Sequence, residues 1–408
     1  MMKFRSGLAA LAASVAFAGA ALAEDQVIRF ATWSQDNLAI QEAIARKFEE
    51  ANPGVKVQVE SYGDGYDTKL AAAMGAGDAP DVMYMWNFPA YAVSLLPLND
   101  LIARDGAAMN YADIPEGLMS TATIDGNILG MPAGYTTHVV FYNKDMLAAA
   151  GVAEPAAGWT WDDLRKAAAA ISKPEENIFG FAVDAKPDPY DFEQFFWSNG
   201  TQYISDDGKA VEGYMNSPEA VEVLTMFADM VKSGEAVALN IGDQTSGGDL
   251  FKAGKLAMFE SGQWSLPGIE ESGVNFGVAV LPAFGTKPVK SAINASSLSI
   301  SKDSKNVDLA WEFVKFFASP EAIKMRTYEL PPRTSVAEEA GLTQDPILAP
   351  FVEMLAVSGG TTPAFLKNAE WARIQENLSA AIEATMVEQG NAQANLDEAV
   401  QRSARFLK

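Results

Sequence analysis

The sequence predicts an α/β protein made of two lobes, each a largely parallel sheet with helices on its faces. Three observations carry that expectation. From Val27 onward, segments with strand alternation are followed by segments with helical spacing. The chain has 408 residues, or 385 without the first 23, more than one hydrophobic core accommodates. No fixed-period repeat, low-complexity tract or long linker separates the parts, so several short crossings and not a tether should join the lobes.

The elements follow in order. Val27 to Trp33 reads as a strand; Ser34 and Asp36 are capping candidates for a helix whose apolar positions Ile40, Ile44 and Phe48 share one face. Asn52, Pro53 and Gly54 stop it. Val55 to Val59 alternates as a second strand, Tyr66 to Met74 forms a second helix, and Asp81 to Met85 a third strand. Later helix starts are marked by their caps: Thr160 before Trp161–Ile171 with Asp163 three residues on, Ser217 before Pro218, and Ser319 before Pro320.

The N-terminus reads as a cleavable export signal. Lys3 and Arg5 precede an Ala-rich apolar stretch, Leu8 to Leu22, that ends in the small residues Ala21 and Ala23 and is followed at once by Glu24, Asp25 and Gln26. Its loss takes away two cations and moves the net charge from -23 to -25. Such acidity argues against nucleic acid and anionic lipid as partners. The chain has no cysteine, which excludes disulfides, thiolate chemistry and a lipid-bearing cysteine tether. An exported, untethered protein needs a second barrier to stay near the cell, so the expected location is the periplasm of a Gram-negative bacterium.

Several segments, in order over nearly the whole chain, resemble the bacterial extracellular solute-binding proteins of sugar ABC importers. They include Ile28–Trp33, Phe48–Val57, Gly77–Val82, Gly130–Ala133, Phe141–Leu147, Gly158–Leu164, Phe251–Met258 with Gly262-Gln263-Trp264, and Ala310–Phe317. The resemblance implies a periplasmic-binding-protein-like fold with about three hinge crossings, near residues 145, 290 and 334. Residues 24–145 and 291–333 would then form the N-terminal lobe, and 146–290 and 334–408 the C-terminal one. It also implies a monomer that closes on ligand by hinge bending and delivers it to permease subunits of the importer.

A sugar offers apolar C–H faces and a rim of hydroxyls, so its site needs flat aromatic surfaces and planar polar side chains. Trp33, followed by Gln35, and Trp86, followed by Asn87, end strands at the sheet edge where open α/β folds bind ligands. On the resemblance, Tyr190, Trp264 and Trp371 match the aromatic wall of the second lobe in maltodextrin-binding members. Tyr135 and Arg333 flank expected crossings; Asp64 and Tyr66 follow the second strand, and Gln263 adjoins Trp264. Trp159, Trp161 and Trp311 read as core. A disaccharide of about 23 heavy atoms at roughly -0.3 kcal/mol each gives micromolar binding without any cofactor or metal.

A secreted glycoside hydrolase is the rival class. It would need paired carboxyls at about 5 Å or roughly 6.5–9.5 Å, and no acid here stands in a recognisable catalytic motif. His138, the sole histidine, reads as structural, and no nucleophile elbow, P-loop or dinucleotide fingerprint is present. Within the binding class two further ligands stay open: a polyamine held by aromatic walls and acids, and an anionic sugar or polyol held by Arg333 and backbone N–H groups.

Overall fold

The computed structural model describes residues 26–239, 246–326, 328–387 and 390–407. The expected export signal lies outside them. Among the described residues no helix is long and apolar enough to cross a membrane.

Twelve strands organise the described residues. They are β1 (Gln26–Thr32), β2 (Val55–Ser61), β3 (Val82–Met85), the hairpin β4 (Thr123–Ile124) and β5 (Asn127–Ile128), and β6 (Met131–Thr137). Then follow β7 (Val139–Asn143), β8 (Phe179–Asp184), β9 (Ala236–Leu239), β10 (Leu256–Ser261), β11 (Phe276–Ala279) and β12 (Ile293–Ile300). Two five-stranded sheets result, ordered β2-β1-β3-β12-β6 and β11-β7-β10-β8-β9.

The sheets are mixed, not largely parallel. β1 runs parallel to β2 and β3, and β8 parallel to β9 and β10. β12 is antiparallel to both its neighbours, β3 and β6, and β7 is antiparallel to β10 and β11. The reversed strands are those that carry the chain between lobes, and a strand entering from the far lobe arrives with its direction inverted relative to the βαβ units.

The chain leaves the first sheet after Thr137 and joins the second at Val139, because Val139–Asn143 pair with β10 and β11. It returns between Ala279 and Ile293. Further along, Ser335 bonds Asp113 of the first lobe through its backbone N–H at 2.9 Å and its hydroxyl at 2.6 Å. Helix Ala349–Ser358 then touches both β6 and β7, with Thr137 Oγ1 donating to the Phe351 carbonyl at 2.8 Å.

Local chemistry explains the elements. Thr160 and Asp163 form the expected capping box, and Ser217 and Ser319 accept from the N–H groups of Ala220 and Ala322. The first helix departs slightly: it runs Leu38–Ala51 with Asn37 at its cap, and the Ser34 hydroxyl accepts instead from the Asn37 N–H at 3.1 Å. Each lobe has an aromatic centre. Phe30 packs against Tyr84, Phe313 and Phe317 in the first; Trp161 packs against Phe181, Phe195, Phe227 and Phe284 in the second. Each such ring buried contributes about 1.5–3 kcal/mol. Trp159 and Trp311 are buried as expected, their indole N–H groups donating to the Val280 carbonyl and the Asp105 carboxylate.

Candidate functional site

Where strands of both sheets end, a cleft of about 1340 Å³ opens between the lobes. That exceeds the roughly 300–1,000 Å³ of pockets for compact small molecules.

The first-lobe wall is aromatic. β1 and β3 lie side by side, so Trp33 and Trp86, just past their ends, meet edge to face with ring centroids 4.6 Å apart. Trp33 is also edge-on to Tyr84 at 4.6 Å, and Tyr66 supports Trp86 at 5.3 Å. The Tyr66 hydroxyl donates to the Tyr84 carbonyl at 2.6 Å, which fixes the ring. This packing leaves Trp86 39% exposed, lining the cleft. Asp64 and Asn87 line the same wall and are exposed.

The second lobe supplies Trp264. It follows β10 in the short helix Gln263–Ser265, and at 56% exposed it is the most open aromatic ring in the cleft. Gly262 makes this possible, since a Cβ there would come within 2.4 Å of the indole. The edge of Trp264 rests on the His138 ring, centroids 5.4 Å apart. Gln263 lines the cleft, and its backbone N–H reaches across to Thr136 Oγ1 on β6 at 2.8 Å.

Other predicted residues border the cleft with less freedom. Tyr190 lines it, but its hydroxyl donates to the Ile293 carbonyl at 2.7 Å and accepts from the Ile293 N–H, clasping the second lobe to β12. Trp371 is only 4% exposed and stacks on Tyr203. Tyr135, at 4%, is held on β6 by a bridge to Leu330.

Two predicted residues lie elsewhere. Arg333 is 2% exposed, and its guanidinium donates to the carbonyls of Ala318, Asn110 and Met109 at 2.6, 2.9 and 2.9 Å, with Asp113 at 3.5 Å. Its side chain turns into the first lobe and not toward the cleft. Gln35 is exposed, and its amide lies over Gly63 where any Cβ would strike it.

Sequence reasoning missed a polar network behind Trp264. His138 sits at the first crossing, fully buried, with Nδ1 against Glu260 of β10 and Nε2 2.9 Å from Asn294 Oδ1 on β12. Asn294 donates in turn to Asp191 at 3.0 Å, and Asp191 lies 3.4 Å from His138. Burial opposes charge on the imidazole, but Glu260 and Asp191 outweigh it and hold the ring well above its usual range. Burial likewise opposes ionisation of Asp191, and the His138 charge outweighs it and lowers that carboxyl. Asp188, which caps helix Pro189–Ser198, is pushed up by burial and by Asp191. Burial also raises Glu329, despite Arg326 3.7 Å away. A lone histidine at the strand-to-strand crossing was the one sequence signal for this network; its partners are 53 to 156 residues away.

Two mixed-sheet α/β lobes, joined by several strand and loop passages and facing one another across an aromatic-walled cleft, have the form of a two-lobed ligand-binding protein. The sequence pattern of one family, described as bacterial extracellular solute-binding protein, matches residues 43–350. The chain belongs to that family. It is 25% identical over 422 residues to a binding protein of Brucella abortus, covering 100% of this chain and 99% of the other. It is 28% identical over 322 residues to the galactooligosaccharide-binding protein of Bacillus subtilis, covering 74% and 72%. Among solved structures, the sugar-binding protein of Xanthomonas citri superposes with a TM-score of 0.81 at 23% identity, over 94% of this chain and 97% of that one, and shows the same fold.

Proposed function

We propose that this protein is the periplasmic substrate-binding component of an ABC importer, which captures a sugar or oligosaccharide by hinge closure and delivers it to membrane permease subunits as a monomer. The observation that carries this reading is the pair of half-open indoles, Trp86 from one lobe and Trp264 from the other, lining one cleft. Flat apolar faces of that kind match the C–H faces of pyranose rings, and the Asn, Gln and Asp side chains between them match the hydroxyl rim. Names of relatives that bind galactooligosaccharides and sugars point the same way. Closure would turn about the passages near 137–139 and 279–293, with the Tyr190–Ile293 clasp on the hinge side. The lobes would divide there, and the export signal at 1–23 would be cleaved in a Gram-negative host.

Melting-temperature shifts across mono- and oligosaccharides, polyols and polyamines test this. A ligand held only by the folded state at 100 times its dissociation constant adds about 2.7 kcal/mol. A shift with a sugar that is recovered intact by chromatography is the expected result. A shift with polyamines alone, or sugar cleavage, would overturn it.

A further inference from the structure

We propose that the cleft selects its occupant by charge: neutral glycans and glycans bearing a protonated amine enter, and glycans bearing uronate, phosphate or sulfate are excluded. The proposal rests on the sugar-binding reading and adds the ligand's electrostatic class to it.

Carboxylates reach the cleft from both lobes and from the passage between them. Asp64 and Asp67 come from the segment after β2, Asp188 and Asp191 from the start of helix Pro189–Ser198, and Glu329 from the stretch before Leu330. Among the described lining residues there is no lysine, arginine or histidine. Two of the five carboxylates have a cation behind them: His138 for Asp191, and Arg326 for Glu329. Asp64, Asp67 and Asp188 form no ion pair among the described residues.

The cations nearest the cleft are engaged with partners of their own. Arg333, the one guanidinium that sequence position brought near the cleft, is committed to three backbone carbonyls. Lys69 donates to the Tyr62 carbonyl, and Lys367 to Gln202 and Asp206. Helix N-termini attract anions; Leu38–Ala51 and Trp371–Val387 start at the cleft with no acid in the first turn, but two other helices that start there carry their own. Tyr66–Gly75 has Asp67 in its first turn; Pro189–Ser198 has Asp188 at its cap and Asp191 in its first turn. A phosphate or uronate would therefore meet like charge in a partly desolvated gap with apolar walls, where fields are focused. An ammonium would meet those same carboxylates and two exposed indole faces, both of which attract cations. Neutral hydroxyls lose nothing, since ionised carboxylates accept their hydrogen bonds.

The test uses maltotriose, cellotriose and β-galactotriose, each as the neutral sugar, as the terminal 6-amino-6-deoxy derivative and as the terminal uronate. Affinities are measured by calorimetry on the full chain. For any scaffold that binds, the amine should bind at least as tightly as the neutral form, and the uronate at least tenfold more weakly. Discrimination should shrink in about 1 M salt, where the screening length falls to about 3 Å. The double variant Asp64→Asn, Asp188→Asn should narrow the neutral-to-uronate ratio at least threefold. A uronate that binds as tightly as its neutral parent would overturn the charge selection and leave sugar binding intact. If no scaffold binds in any charge state, the sugar reading itself falls, and the proposal falls with it.

Discussion

Replacing Trp264 by alanine separates a ligand platform from a surface residue that happens to be aromatic. The side chain is 56% exposed in the cleft, so about half of its surface is available to a ligand. A tryptophan buries roughly 150–250 Å² when fully covered, which leaves about 50–100 Å² for one sugar-facing side. At about 25 cal/mol per Å², covering that face is worth roughly 1.2–2.5 kcal/mol. Converted at about 1.4 kcal/mol per decade, affinity should fall about eight- to sixtyfold. The fold should tolerate the change within about 1 kcal/mol, because more than half of the indole is exposed. Calorimetry with the sugar that gives the largest melting shift measures the first quantity, and urea unfolding the second. Gly262→Ala is a companion: its Cβ would strike the indole and displace it, so affinity should drop with the ring still present. Affinity within twofold of the parent for Trp264→Ala, with stability unchanged, would refute the reasoning.

Two further predictions concern groups the cleft does not use. Burial pushes the Glu193 carboxyl up to about 8, so between about 4.5 and 8 the folded state keeps a proton that the unfolded state releases. Stability from this group therefore falls as pH rises through that window. Glu193→Gln, whose amide oxygen still accepts from the Ala364 N–H, should melt near the parent at pH 4.5 and above it by pH 8; the opposite trend in scanning calorimetry would contradict the assignment. Arg333→Ala should cost roughly 3–5 kcal/mol in urea unfolding, since three carbonyls lose their donor and Asp113 loses its cation. Sugar affinity of the folded variant should stay within twofold; a tenfold loss would return Arg333 to the site.

Much of the architecture was legible because its signals are local. Strand alternation, helical spacing and capping residues act within about ten positions, so β1, β2, β3 and the Thr160, Ser217 and Ser319 helix starts read correctly from the chain. Trp33 and Trp86 were legible for a related reason: a residue just past a strand end must sit at the sheet edge, and that edge faces the cleft. Strand direction was not legible. Nothing in Val139–Asn143 or Ile293–Ile300 says that the segment enters its sheet reversed; that depends on which lobe the chain has just left.

The sequence by itself determined the alternating elements, the family pattern and the aromatic residues at loop positions. Only the tertiary structure decided where those side chains point and what they meet. Arg333 stands beside a passage yet turns away from the cleft, because three carbonyls of its own lobe hold it more favourably than open solvent would. His138, Asp191, Glu260 and Asn294 are spread over more than 150 positions, and they come together only because β7, β10, β12 and one helix start converge at the hinge. Periodicity reports the path of the backbone over a few residues; charge and shape in a cleft are sums over segments that meet only when the chain is folded.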